Sequence, residues 1–457
     1  MLYLLIGITF LFIMINFKIS NYDYLHPAPL FCFTFFICEL LCAFCAKKYW
    51  ITFHPETVLV ISIALFTFTI VHLLCQIQYK KKENKFKSNV IYVDDFYVKI
   101  LIIMQIICIL FFIKYLMDLS IAYNANYAGK VSTITDMISL YDTMTKFWTQ
   151  IYNDLNVPIP LIYRIFNPIC LAGAYLLIYI MVNNFVINKS LNKLHLLSFI
   201  LLIILILLNG SRTPLFRILT MILILIYIMK IKNKRHSKAN LYFFIKLICI
   251  IIISLFVFIS ILDLMGRDAD FSFSEYVFTY LGAPLYNLDS VLSSSNHINN
   301  ANIWGQQSFK GLYSFFYKIS GQEKNIIDNI NVFNFSRNGI ETGNVYTTFY
   351  PFYYDFGYIG IMPLIMVIAL YYINNYKLLI QDKRQKMSLI NFRLFIFSYL
   401  YNDLIMLVFS NRFYGTIFDI SFIKMIIIAW LLKSICIDRE FRINKYILKL
   451  KRIRIGK

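Results

Sequence analysis

The sequence predicts an all-α, polytopic membrane bundle of about eleven spans with one large hydrophilic loop. Three observations carry that expectation. Hydrophobic residues make up 59% of the 457-residue chain and mean hydropathy is +0.65, leaving too little polar surface to coat a water-soluble globule. Charged residues, 15% of the total, gather between long apolar runs, as lipid requires because it cannot satisfy exposed backbone polar groups. The net charge of +20 is concentrated in a few connections and in the C-terminal tail. That placement is a topology signal and argues against nucleic acid as a partner.

Apolar runs long enough to span cover 1–18, 30–46, 57–78, 97–117, 161–187, 194–209, 214–230, 241–262, 351–373, 388–410 and 415–436. The first lacks the basic flank and small-residue cleavage site of a signal peptide, so Met1 to Phe17 reads as a retained helix. Lysine-rich connections follow the third, seventh and ninth runs, at Lys80 to Lys87, Lys230 to Lys238 and Lys377 to Lys386. All three are expected in the cytoplasm, as is the tail from Arg439 to Lys457. The segments 118–160, 210–213, 263–350 and 411–414 then lie outside. The odd number of spans puts Met1 outside too, together with Lys47 and Lys48. All nine cysteines fall within apolar segments, which suggests neither a disulfide framework nor a zinc site.

The chain reads as one membrane domain, 1–457, carrying two external loops of substance, 118–160 and 263–350. The second is far longer than a connection between neighbouring helices needs to be, and such loops usually carry function. Its eight acids and five bases leave it slightly negative, which does not exclude local cationic pockets. Ser274 to Leu292 has Tyr276, Tyr280, Leu281, Leu285 and Leu288 at roughly helical spacing, so an amphipathic helix on the membrane surface is expected there. A similar stretch runs from Ile134 to Ile151 in the first loop. On the inner side, Asp94 and Asp95 are expected to cap the next helix.

Arginines near the outer face are candidate anion ligands, because a guanidinium there is costly without an acid or phosphate partner. Arg212 lies in the short turn Asn209-Gly-Ser-Arg-Thr-Pro between two apolar runs, where it either snorkels to headgroups or clamps an anion. Arg267, Arg337 and Arg412 share that side. His297 is a candidate base or phosphate donor, with an idle surface histidine as the alternative. Asp268 and Asp270 have the spacing of a metal-binding pair but read better as a solvated turn. The densest signal is 341–360, ETGNVYTTFYPFYYDFGYIG. An interfacial aromatic belt explains its rings but not Asn344, Asp355, Gly357 or Gly360. Aromatic faces beside amide and carboxylate groups are what a sugar-binding surface offers.

Asn344-Val-Tyr346-Thr347, followed by Asp355-Phe-Gly357 and Gly360, resembles the motif that closes the large outer loop of Wzy-type oligosaccharide repeat-unit polymerases, which build O-antigen and capsule. The Gly210-Ser-Arg212 turn and the stretch Tyr280 to Leu288 resemble further segments of that family. The Arg-x10-Gly pattern of some members is absent, since none of Arg212, Arg267 or Arg337 has glycine eleven positions on. The resemblance implies a GT-C-like helical fold and a metal-independent, inverting glycosyltransferase without cofactors, in the bacterial cytoplasmic membrane. Its substrates would be oligosaccharides on undecaprenyl pyrophosphate, with membrane lipids, a flippase and a chain-length regulator as partners. Arg212, Arg267, Arg337 and Asp355 would act on the reacting groups, and His297, Asn344, Tyr346, Thr347 and Arg412 would bind substrate. His297, Glu341 or Asp355 could serve as a base. The rival class is a lipid-linked oligosaccharide flippase, which would call for shorter outer loops, repeated halves and polar groups deep in the bundle.

Overall fold

The computed structural model describes residues 1–77, 90–127, 129–146, 148–233, 273–294, 303–321, 330, 332–381, 390–438, 440–443 and 446–449. The described chain is helical almost throughout. In order, its first helices are α1 (Leu2–Ile19), α2 (Pro27–Tyr49), α3 (Pro55–Ile77), α4 (Asp95–Tyr127), α5 (Ile134–Lys146), α6 (Thr149–Asp154), α7 (Leu161–Asn188), α8 (Lys193–Leu208) and α9 (Thr213–Asn233). The large loop contributes α10 (Phe273–Val277), a π turn at Phe278–Gly282, α11 (Ala283–Ser293) and α12 (Lys310–Ile319). A small hairpin follows, with β1 (Asn334–Phe335) antiparallel to β2 (Glu341–Gly343). The chain then forms α13 (Phe349–Gln381), α14 (Phe392–Ile405), α15 (Arg412–Ile417) and α16 (Ile420–Leu432).

Eight of these helices are long and apolar enough to cross a membrane, so the chain is a multi-pass helical membrane protein. Two further expected spans, 194–209 and 388–410, coincide with α8 and α14, which have only 16 and 14 helical residues. The expected span 241–262 lies outside the described residues. Helix ends follow local chemistry. Asp94, Asn192, Asn391 and Asp419 each accept a backbone N–H in the first turn of α4, α8, α14 and α16. The Asp94 cap was legible in the sequence. Buried Cys32, Cys38, Cys42, Cys108 and Cys170 serve as core residues.

One local expectation is extended and another needs correction. The first residues expected in the outer loop, 118–127, are helical, because α4 is 33 residues long and runs to Tyr127. At about 1.5 Å per residue this is roughly 50 Å, well beyond a hydrocarbon core of about 30 Å. The stretch 274–292 is not a surface helix. Ala283 to Asp289 is buried on every face, against α2, α3 and the hairpin. Its polar residues point inward and are used there. Asp289 accepts hydrogen bonds from His54 N–H at 2.8 Å and Thr57 Oγ1 at 2.6 Å, and so caps α3 from another part of the chain. Asn287 donates to the Val345 carbonyl at 2.9 Å and accepts from Thr342 Oγ1 at 2.7 Å. Spacing alone cannot distinguish this packing from a helix lying on lipid.

Contacts at the two ends of the bundle sort the connections. Lys48 pairs with Glu275 at 2.8 Å and Arg212 reaches Tyr276, so the turns 50–54 and 209–212 share one end with the large loop. At the other end, Tyr227 of α9 and Tyr376 of α13 both donate to Asp23, and Lys377 donates to the Cys75 carbonyl of α3. The lysine-rich connections after α3, α9 and α13 therefore leave from one end.

Candidate functional site

Close to the large-loop end, helices α7, α8, α9, α15 and α16 and the segments 307–310 and 346–351 enclose a cavity of about 600 Å³. Among the described residues, three cations line it, Arg217, Lys310 and Arg412, against a single carboxylate, Asp419. Tyr175, Tyr346 and Tyr399 give it aromatic walls, and Asn209, Ser211, Gln307 and Asn411 add uncharged polar groups.

Arg217 lies one turn into α9 and is fixed by three side chains. It donates to Asp403 Oδ1 at 2.6 Å, Tyr399 OH at 2.9 Å and Thr416 Oγ1 at 3.2 Å, with its guanidinium 4.6 Å from the Tyr399 ring centroid. Asp403 is fully buried. A buried ion pair of this kind stays in place because removing either partner would strand the other charge. Even so, Arg217 Nε remains buried without a partner.

Arg412 differs from Arg217. Among the described residues its guanidinium makes no hydrogen bond or ion pair, and its Nε is also buried and unpartnered. Burial lowers its pKa, the Arg217 charge acts in the same direction, and Asp403 opposes them. Desolvation at the cavity wall likewise lowers the pKa of Lys310. Two arginines thus stand near one buried carboxylate, Asp403, which leaves cationic charge uncompensated among the described residues. An anion with several oxygens suits a wall that carries two guanidinium groups and an ammonium. Among the described residues, no three His, Cys, Asp or Glu side chains are grouped to hold a metal ion.

The residues singled out from sequence divide into three groups. Arg412 and Tyr346 line the cavity. Arg212, Asp355 and Thr347 act beside it. Arg212 is buried and donates to Tyr276 OH at 2.6 Å, tying the α8–α9 turn to α10 while its neighbours Ser211 and Thr213 face the cavity. Asp355 accepts from the backbone of Ser308 at 2.6 Å and Gln307 at 3.3 Å, and so shapes a cavity wall. Thr347 is buried and its Oγ1 accepts from Phe349 N–H at the start of α13. Arg337 and Asn344 stand apart: Arg337 is exposed in the β1–β2 turn, Asn344 follows β2, and neither lines the cavity. Glu341, exposed at the start of β2, is also remote from it. Arg267, His297, Asp268 and Asp270 lie outside the described residues.

Arg217, Lys310 and Asp403 are the site residues that the outer-loop reading does not identify. A signal for two of them was present, since Arg217 falls within the run 214–230 and Asp403 within 388–410. Charges inside apolar runs are expensive and mark function by default.

Fold and site together define a multi-pass helical membrane protein with a cationic, aromatic-walled cavity near one end of its bundle. No family model matches the chain, and comparison with curated proteins and with solved structures likewise finds no match.

Proposed function

We propose that the chain polymerises oligosaccharide repeat units carried on undecaprenyl pyrophosphate, at the outer face of the bacterial cytoplasmic membrane. The observation that carries this reading is the Arg412 guanidinium, which has no hydrogen bond or ion pair among the described residues and lies over the Phe409 ring, beside the Arg217–Asp403 pair in a cavity also walled by tyrosines. Pyrophosphate has the oxygens to engage both arginines, and the tyrosine rings suit pyranose faces. In the reaction, a hydroxyl of the lipid-linked acceptor attacks the anomeric carbon of the donor glycan. The bond from that carbon to the pyrophosphate oxygen breaks, and undecaprenyl pyrophosphate leaves with the electron pair. Arg217, Arg412 and Lys310 stabilise the charge that develops on it. Asp419, the carboxylate on the cavity wall, takes the acceptor's proton in this scheme. Inversion at carbon, independence of metal, a GT-C-like fold, eleven spans and a cytoplasmic C-terminus belong to the same proposal. So do a flippase and a chain-length regulator as partners.

One feature favours the flippase reading as an alternative. Buried His26 and His72 and the half-buried Asp23 form a polar cluster with Tyr227 and Tyr376 at the end opposite the cavity, and polar groups inside the bundle suit a transport path. The glycan of a deletion strain separates the two. A surface bearing single repeat units, with polymer restored by the intact gene, supports polymerisation; absence of any repeat unit at the outer face overturns it in favour of transport.

A further inference from the structure

Helix α12 carries an unusually clean stripe. Leu312, Phe315, Phe316 and Ile319 fall within about 100° of one another around its axis at 3.6 residues per turn. None of the ten residues of α12 is buried, and Phe316 and Ile319 are 55% and 67% exposed. The opposite face is occupied by the chain itself. Tyr313 OH donates to the Trp304 carbonyl, and Gln306 Nε2 donates to Tyr317 OH at 3.2 Å. These bonds hold the tyrosines inward and turn the apolar stripe away from the protein.

The attachments of α12 fix its level. Gly311 sits so close to the chain before α16 that an added Cβ would lie 3.0 Å from the Phe418 carbonyl oxygen. Phe309 packs edge-on against Tyr414 and Phe418, and the exposed Trp304 packs edge-on against Phe356 of α13 at 5.1 Å. Phe418 and Phe356 stand where the outward apolar surfaces of two candidate spans begin. Ile359 and Met362 are exposed on α13, and Ile423 and Ile427 on α16. Those surfaces face hydrocarbon in a multi-pass protein. The stripe of α12 continues them at their edge, where an interfacial tryptophan is also expected.

We infer that α12 is an interfacial helix, its Leu312, Phe315, Phe316 and Ile319 stripe seated in the lipid surface beside α13 and α16. Lys318 lies off the stripe, at headgroup level, and suits anionic lipid, while Lys310 stands on the opposite side of the helix. The occupant is lipid, because the face continues the lipid-covered surface of the spans, carries no acid within α12 and is bordered there by Tyr313 and Lys318. Lys310 also lines the cavity. One wall of the candidate site is thereby carried on the membrane surface. This inference depends on the membrane fold alone and not on the proposed reaction.

The test uses the full chain in nanodiscs of phosphatidylethanolamine and phosphatidylglycerol. Single cysteines at Phe316→Cys, Ile319→Cys and Ser314→Cys are labelled with a small fluorophore, and the labelling of the parent chain is subtracted. Nitroxide lipid, with the spin label near the headgroup, should quench the first two labels severalfold more than the third. Aqueous iodide should show the reverse order. Equal iodide quenching at all three positions overturns the inference, since the stripe then faces water. Shielding of positions 316 and 319 from both quenchers overturns it as well, because a second copy or another protein segment then covers the stripe. The two stripe positions report independently, so one badly folded variant leaves the other to decide.

Discussion

Arg217 Nη2 lies 2.6 Å from Asp403 Oδ1, joining α9 to α14 across 186 positions of sequence. The carboxylate is fully buried and its Oδ2 has no hydrogen-bond partner, so the guanidinium is its principal compensation. Arg217→Ala should therefore destabilise the protein by about 3–5 kcal/mol, the usual cost of stranding a buried charge. Arg217→Met combined with Asp403→Leu should recover much of that loss. Unfolding temperatures of the purified variants in detergent check both expectations, and a single variant as stable as the parent would contradict them.

Arg412 has no such structural debt among the described residues. Arg412→Ala should leave membrane abundance and unfolding temperature near those of the parent while polymer formation falls roughly a hundredfold or more, the loss typical of one preorganised donor. Arg412→Lys should rescue little, because the planar fork is lost although the charge remains. Glycan chain length in a complemented deletion strain, at matched protein abundance, is the readout. Parental chain lengths from both variants would remove Arg412 from the site.

Gly210 has φ +67°, and a Cβ there would lie 2.7 Å from Asp142 Cβ on α5. Left-handed backbone and close contact both favour glycine at this turn. Gly210→Ala should cost on the order of 1–3 kcal/mol. It should also displace Ser211 and Thr213 on the cavity wall, lowering activity further than the loss of folded protein alone. Specific activity per folded molecule separates the two effects.

Burial raises the pKa of Asp23 above its ordinary 3.8, with the Tyr227 and Tyr376 hydroxyls and the Leu25 and His26 backbone opposing the shift. The folded protein thus holds this proton more tightly than the unfolded chain. The stabilising effect is full below the unfolded pKa and is lost as pH rises through the raised folded value. His26, His72 and Tyr401 also border this group. Relative to Asp23→Asn, the parent should lose stability as pH climbs from about 4 upward. Unfolding temperatures measured across that range would contradict this if the two curves stayed parallel.

Hydropathy and charge by themselves determined that this chain is a multi-pass helical bundle with its long hydrophilic loop and its lysine-rich connections at opposite ends. Those signals are local, since a run of apolar residues must satisfy its own backbone wherever it stands in the fold. The Asp94 cap was legible for the same reason. The apolar spacing of 274–292 was equally visible but compatible with two environments, and only packing against α2 and α3 chose the buried one. The site required more. Arg217, Lys310, Asp403 and Arg412 come from α9, the start of α12, α14 and α15, and no window of sequence contains more than two of them. Whether an arginine is paired with a carboxylate, as Arg217 is with Asp403, or has none within reach among the described residues, as with Arg412, depends on which distant carboxylate the packing brings within 4 Å. That distance is set by how whole helices stack, and only the tertiary structure decided it.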